Sequence, residues 1–276
     1  MSLKTIATFG LGRTKTDAAA KSFVSLNLAQ GSVLDFLVSP DTGDTTNVSS
    51  LQDSSQRVGA IVNAANVRCL GGGGVDGAIN NAGGPSLWKD REALPVISEE
   101  GYRCHVGGAV VTGPGRYGHL HVKYVVHAVG PAYPAFSKEN DEDCSVENKN
   151  NKSNEKFTKP DALLRSAYRE ALERCREVGI TDVAFSLLSA GIFRGERSLD
   201  DVLLIAVLAI RDWVIEQEKG DSAPTGKGED GNNDSSPMHR LQTVTLCGFS
   251  KIEVDTLRKV CRAVFENDAS KQPGTN

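Results

Sequence analysis

Short apolar runs rich in β-branched residues alternate with longer segments of helical period through most of this chain, and that alternation restricts the fold more than any other feature. "VGAIVNAAN", "YVVHAVGP", "VAFSLL" and "TVTLCGF" read as strands, and "SFVSLNLAQGS" and "GGAVVTGPGRY" add two more. "PDALLRSAYREALERCREVG", "LDDVLLIAVLAIRDWVIEQ" and "KIEVDTLRKVCRAVFEN" place apolar residues at helical spacing, the first opened by Pro160 and closed by Gly179. Val75 to about Leu94 also reads as helix, broken in two at Gly83-Gly84-Pro85. Parallel strands need crossover connections, and helices supply them on both faces of a sheet. The expected fold is α/β, a three-layer α/β/α domain with a mixed, largely parallel sheet.

Three polar tracts without periodicity interrupt the pattern, at about 39–56, 136–158 and 217–239. They are expected to be surface insertions in a single domain spanning 22–268, followed by a tail at 269–276. Residues 1–21 carry Lys4, Arg13, Lys15 and Lys21 against Asp17 and are expected to be a disordered N-terminus rather than an organelle presequence. A cytoplasmic or nuclear location follows, with a mitochondrial one as the second choice. The formal charge of −4 argues against nucleic acid or an anionic membrane as partner. No apolar stretch approaches the roughly 20 residues of a membrane-spanning helix. The six cysteines form no CxxC pair and suit a reducing compartment, several as small core residues. His119 and His121 in "GHLH", and Cys104-His105, lack a third suitably spaced ligand, so no metal and no cofactor is expected. A monomer is expected.

The stretch "IVNAANVRCLGGGGVDGAINNAGG" is where chemistry concentrates. A strand dissolves into Gly71 to Gly74, and Asp76 stands where a helix begins. A second glycine-containing stretch, "SAGIFRG" from Ser189 to Gly195, follows another strand. Ligands in parallel sheets bind beyond the carboxyl ends of the strands. Successive backbone N–H groups and a helix N-terminus can hold a diphosphate there without lysine or arginine. Arg68 and Arg194 are the only nearby cations in sequence. The spacing fits neither GxGxxG nor a Walker A loop, because the glycines are consecutive and no Gly-Lys-Ser/Thr follows.

With those residues in view, "IVNAAN…GGGGVDGAI", "YVVHAVGP" and "LLSAGIFRG", in that order, resemble a macrodomain of the MacroD type from about Phe23 to Phe265. The resemblance implies an ADP-ribose cleft and hydrolysis of the ester joining ADP-ribose to acidic protein side chains. It also implies deacetylation of O-acetyl-ADP-ribose. By position it puts Asn63 and Asn66 beside the distal ribose, Gly73, Gly74 and Val75 in the first phosphate loop, and Asp76 as the carboxylate that orients the attacking water. Asn66 is grouped with Asp76 in the catalytic set. Ser189, Gly191, Ile192 and Phe193 match the second phosphate loop, with Phe193 against the distal ribose, and Phe249 matches an aromatic that stacks on adenine.

The chain departs from the family in two places. The family often has Gly-Asp-Ile-Thr after its early strand, the aspartate accepting from the adenine amine; here the stretch is Gly31-Ser32-Val33-Leu34, where Ser32 can still make a hydrogen bond, with Asp35 and Asp44 as candidate replacements. The histidine four residues after the catalytic aspartate is Asn80, expected to bind the ligand through an amide that can position water or ribose but does not titrate near neutrality. Taken singly, Asp76 also suits a helix start, Asn63 and Asn66 a strand end, and Phe193 and Phe249 a core. His127 reads as a hydrogen-bonded core histidine. Two functions compete: a hydrolase acting on ADP-ribosyl esters of proteins, and a module that binds ADP-ribose without cleaving it. The presence of Asp76 favours the first.

Overall fold

Seven strands build one sheet in the order β1-β2-β7-β6-β3-β5-β4. The strands are β1 (Lys4–Leu11), β2 (Val24–Gln30), β3 (Gly59–Ala64), β4 (Ala109–Thr112), β5 (Tyr124–Ala128), β6 (Asp182–Ser186) and β7 (Thr243–Gly248). Among the described residues five α-helices accompany them: α1 (Gly74–Glu92), α2 (Tyr133–Glu139), α3 (Lys152–Glu177), α4 (Leu199–Gly220) and α5 (Lys251–Ala269). The computed structural model describes residues 3–11, 24–38, 57–139, 152–220 and 241–269. The four central pairings are parallel, and the edge pairs β1–β2 and β4–β5 are antiparallel. The sheet is therefore mixed and largely parallel, as the sequence pattern predicts.

Strand alternation assigns the layers. Ala60, Val62, Val126, Val183, Phe185, Val244 and Leu246 face one core with apolar residues of α3, α4 and α5. Their neighbours Ile61, Val125, Ala184 and Cys247 face a second core with Ile79 and Leu87 of α1. Adjacent residues of one strand point to opposite faces. Central strands buried on both sides consequently read as continuous apolar runs. Three helices, a sheet and α1 make the three layers.

α1 carries the break that Gly83-Gly84-Pro85 predicts: Gly84 has φ 63° and ψ −159°, and the helix changes direction there. The five cysteines in the described residues (Cys69, Cys104, Cys175, Cys247 and Cys261) are reduced and buried. Burial pushes the Cys69, Cys247 and Cys261 thiols up to about 12, which keeps them protonated and inert. Cys144, Asp44 and the acidic run Asp141 to Asp143 lie outside the described residues. His119 and His121 are exposed in a turn. Among the described residues no helix is long and apolar enough to cross a membrane.

Three boundaries need correction. Residues 4–11, expected within a disordered N-terminus, form β1, because Leu11 is buried and Phe9 stacks on Phe265 at 5.2 Å. The stretch "TIATFGL" alternates as a strand does, beside the cationic residues of this segment. Second, α3 begins at Lys152 and carries Pro160 inside it, so the tract 136–158 is bounded by helices on both sides. Phe157, ahead of Pro160 in α3, lies edge-on to Tyr133 at 6.0 Å and beneath Arg197 at 4.7 Å. Third, α4 continues to Gly220, beyond the expected start of the third tract at 217.

Candidate functional site

The loops leaving β2, β3, β6 and β7 gather at one edge of the sheet and enclose a cleft with two lobes. The chain leaves β3 toward β5 on one side and leaves β6 toward β7 on the other, so a switch in strand order falls between β3 and β6. Such a switch opens a crevice at the carboxyl ends of the strands. The first lobe, about 400 Å³, is lined by Gly31, Ser32, Val33, Gly74, Val75, Ala78, Ser186, Leu187, Gly191, Cys247, Phe249 and Glu253. The second, about 370 Å³, is lined by residues 64–66 and 72–76 together with Leu187, Ser189, Gly191, Ile192 and Phe193. Gly74, Val75, Leu187 and Gly191 border both, so the lobes share a waist.

Among the described residues no lysine, arginine or histidine lines either lobe. Arg194, a nearby cation by sequence, donates to the carbonyls of Ala190 and Arg197. Backbone supplies positive potential instead: Gly73 caps α1, and N–H groups of the first turn have no acceptor within the helix. The glycines here are constrained by contact. A Cβ on Gly77 would lie 2.5 Å from the Gly72 carbonyl oxygen, so glycine lets the loop lie against the helix. A Cβ on Gly130 would lie 2.4 Å from Ser189 Oγ, which donates to the Pro131 carbonyl at 2.8 Å. That bond, with Ser189 at φ 54°, fixes the second loop.

Asp76 lines the second lobe from the first turn of α1 and is 3% exposed. Its Oδ1 accepts from Arg91 Nη2 at 2.7 Å and from Asn63 Nδ2 at 2.7 Å. Among the described residues its Oδ2 has only a long 3.5 Å contact, with Asn66 Nδ2. Asn66 is held by the loop it helps to shape, donating to the Gly71 carbonyl at 2.7 Å and accepting from the Arg68 N–H at 3.0 Å. Arg91 is fully buried and donates also to the Cys69 carbonyl and, at 3.5 Å, to Asn80 Oδ1. Fifteen residues of straight helix would separate Asp76 and Arg91 by about 22 Å. The break at Gly84 is what lets this ion pair form.

Behind Asp76 the network continues across the sheet. Asn63 and His127 are register partners on β3 and β5, and Asn63 Nδ2 meets His127 Nδ1 at 3.1 Å. Nδ1 therefore accepts and Nε2 carries the proton, donating to Thr112 Oγ1 at 3.0 Å. Burial, reinforced by the charge of Arg91, holds the His127 imidazole well below its ordinary range, and it is neutral. Asp76 is thus fixed from two sides through a single oxygen, with the other toward the cleft loops.

Of the residues expected from sequence, Ser32, Val33, Asn66, Gly73, Gly74, Val75, Asp76, Ser189, Gly191, Ile192, Phe193 and Phe249 all border the cleft. Phe249 is 78% exposed, which removes the core alternative, and Phe193 is 40% exposed. Two expected contacts move. Asn63 is fully buried, so it faces Asp76 and His127 in place of a ribose. Asn80 borders neither lobe and touches Arg91 instead. Asp35 sits in the 3₁₀ turn Val33–Asp35 and lines neither lobe. Arg91 and Glu253 carry no local sequence signal of a site and are brought to it by tertiary packing, while Leu187 belongs to the stretch "LLSAGIFRG".

Comparison with known proteins agrees with this architecture. The family model described as Macro domain matches residues 62–199, half of the chain. A macro domain-containing protein of Caldanaerobacter subterraneus subsp. tengcongensis is 43% identical over 138 residues, covering 50% of this chain and 64% of that relative. One from Cupriavidus necator is 38% identical over 157 residues, covering 56% of this chain and 73% of the relative. Among solved structures, the Oceanobacillus iheyensis macrodomain with ADP superposes at TM-score 0.58 and 19% identity, covering 97% of this chain and all of that one. The Trypanosoma brucei macrodomain in complex with ADP-ribose superposes at 0.53 and 24% identity, covering 86% and 68%. At such identities the structural likeness speaks for the fold. The chain belongs to the Macro domain family.

Proposed function

We propose that this protein is a MacroD-type hydrolase that binds ADP-ribose and removes it from acidic protein side chains by ester hydrolysis. O-acetyl-ADP-ribose, an ester of the same ribose, is a second substrate. Adenosine occupies the first lobe against Phe249, the diphosphate crosses the waist at Gly74, Val75 and Gly191, and the distal ribose enters the second lobe beside Phe193. Related macrodomains have been solved with ADP and with ADP-ribose, which supports the choice of ligand.

The observation that carries the hydrolytic part is Asp76, a buried carboxylate with one oxygen committed to Arg91 and Asn63 and the other almost unpartnered at the second lobe. In the reaction, Asp76 Oδ2 orients a water and takes its proton as the oxygen adds to the ester carbonyl carbon. The tetrahedral intermediate collapses by breaking the bond to the ribose oxygen, which receives that proton from Asp76. The products are ADP-ribose and the acidic side chain, which ionises in water. Orientation of the water by a fixed carboxylate and of the ester by the bound diphosphate supplies the acceleration.

The test is to incubate the protein with a substrate mono-ADP-ribosylated on glutamate and follow free ADP-ribose. Catalytic release is the expected result. Binding of ADP-ribose without release would make the protein a reader, the alternative that the neutral Asn80 in the family's histidine position keeps in play.

A further inference from the structure

We propose that Glu253 reads the base, by accepting a hydrogen bond from the exocyclic amine of a 6-aminopurine seated in the first lobe; this rests on the ADP-ribose reading above. The lobe is lined mostly by groups that cannot distinguish one purine from another, among them Val33, Val75, Leu187 and Phe249. Stacking on an exposed phenylalanine favours any flat base. Selectivity needs a side-chain acceptor or donor with unused capacity, because only then does the wrong base leave a polar group unpaired.

Two of the three lining side chains with oxygen are neutral hydroxyls that already spend part of their hydrogen-bonding capacity on the backbone. Ser186 Oγ donates to the Val62 carbonyl at 2.8 Å and accepts from the Ala64 N–H at 3.0 Å. Ser32 Oγ accepts from the Leu34 N–H at 3.2 Å, which leaves it a proton to donate but spends an acceptor site. Glu253 is different. Its Oε2 accepts from the Ser250 N–H at 2.7 Å, and Ser250 Oγ accepts from the Glu253 N–H at 3.2 Å, a reciprocal box at the start of α5. That box immobilises the carboxylate while Oε1 has no hydrogen-bond partner among the described residues. A preorganised anionic acceptor in an apolar lobe suits an amine and repels the carbonyl oxygen that replaces it in a 6-oxopurine.

The experiment is calorimetric titration with ADP-ribose and with its inosine counterpart, which differs in the purine by an oxo group for the amine. The wild-type protein is expected to prefer ADP-ribose by roughly tenfold, the scale of one hydrogen bond to a charged group. In Glu253→Gln the amide oxygen can still cap α5, while the amide can turn its N–H₂ toward an oxo group, so the preference should shrink to within about threefold. Ser250→Ala weakens the cap and leaves the carboxylate, and should keep the wild-type preference. An unchanged ratio in Glu253→Gln, or equal binding of the two ligands by the wild type, overturns the role of Glu253 alone. Wild-type protein that binds neither ligand overturns the ADP-ribose reading, and this assignment with it.

Discussion

Replacing Arg91 with methionine removes the one cation among the described residues that pairs with Asp76 and leaves the aliphatic part of the side chain in place. The pair lies at 2.7 Å with Arg91 fully buried and the Asp76 side chain 5% exposed, so water screens it poorly. With an effective dielectric of about 20, two unit charges at that separation attract by about 6 kcal/mol. Relaxation around the remaining charge reduces this figure, so the observed loss should be nearer the 3–5 kcal/mol typical of breaking a buried pair from one side. The Cys69 carbonyl also loses its donor. A domain of this size is stable by only about 5–15 kcal/mol, so Arg91→Met should be severely destabilised. The decisive comparison is a cycle with Asp76→Asn, read by urea unfolding midpoints and slopes. The double variant buries no charge at this position and should be at least about 2 kcal/mol more stable than the summed single losses imply. Additive losses, or an Arg91→Met cost below about 1 kcal/mol, would refute the idea that this pair is energetically coupled.

Three further outcomes follow from particular contacts. Phe249→Ala should weaken ADP-ribose by about 0.5–1.5 kcal/mol in calorimetry with little change in melting temperature, because the ring is exposed; unchanged affinity would remove it from the base site. Leu11→Ala should cost about 2–5 kcal/mol of stability, the range for a buried leucine, whereas a terminus outside the fold would cost nothing. His127 titrates in the unfolded chain near 6.5 but well below that when folded, so the unfolded state binds the extra proton first as pH falls. Its contribution is therefore complete above pH 6.5 and declines below it, by up to about 1.4 kcal/mol per pH unit, until the folded imidazole also protonates. His127→Gln should flatten the stability profile below pH 6.5 relative to wild type, and parallel profiles would contradict a buried neutral histidine.

The central sheet was legible because strands such as "GAIVNA" and "DVAFS" are buried on both faces and read as apolar runs. Helix α1 was legible together with its break, since Gly84 adopts a conformation that glycine tolerates and Pro85 follows it. What the break does was not legible. Arg91 reads as an ordinary charge near a helix end, and only the change of direction carries its guanidinium back to Asp76. The same limit hid the partnership of Asn63 with His127, which depends on β3–β5 register across 64 residues of sequence. The two glycine loops around the cleft were legible because backbone requirements leave glycines in sequence, whereas Ser32, Val33, Ile192, Phe193 and Phe249 are placed there by the resemblance to the family. Glu253 was missed because its spacing from Ser250 explains it fully as a helix cap.

The most direct test of hydrolysis at this site uses Asp76→Asn. Alanine would leave the Arg91 guanidinium facing a void, whereas asparagine keeps the shape and an oxygen that can accept from Arg91 and Asn63. The amide cannot take a proton from water, so release of ADP-ribose from a glutamate-linked substrate should fall at least ~100-fold. Affinity for ADP-ribose should hold or rise, because the glycine loops remain and a negative charge beside the diphosphate is gone. A folded Asp76→Asn protein that releases ADP-ribose at the wild-type rate would contradict the assignment of Asp76 as the base.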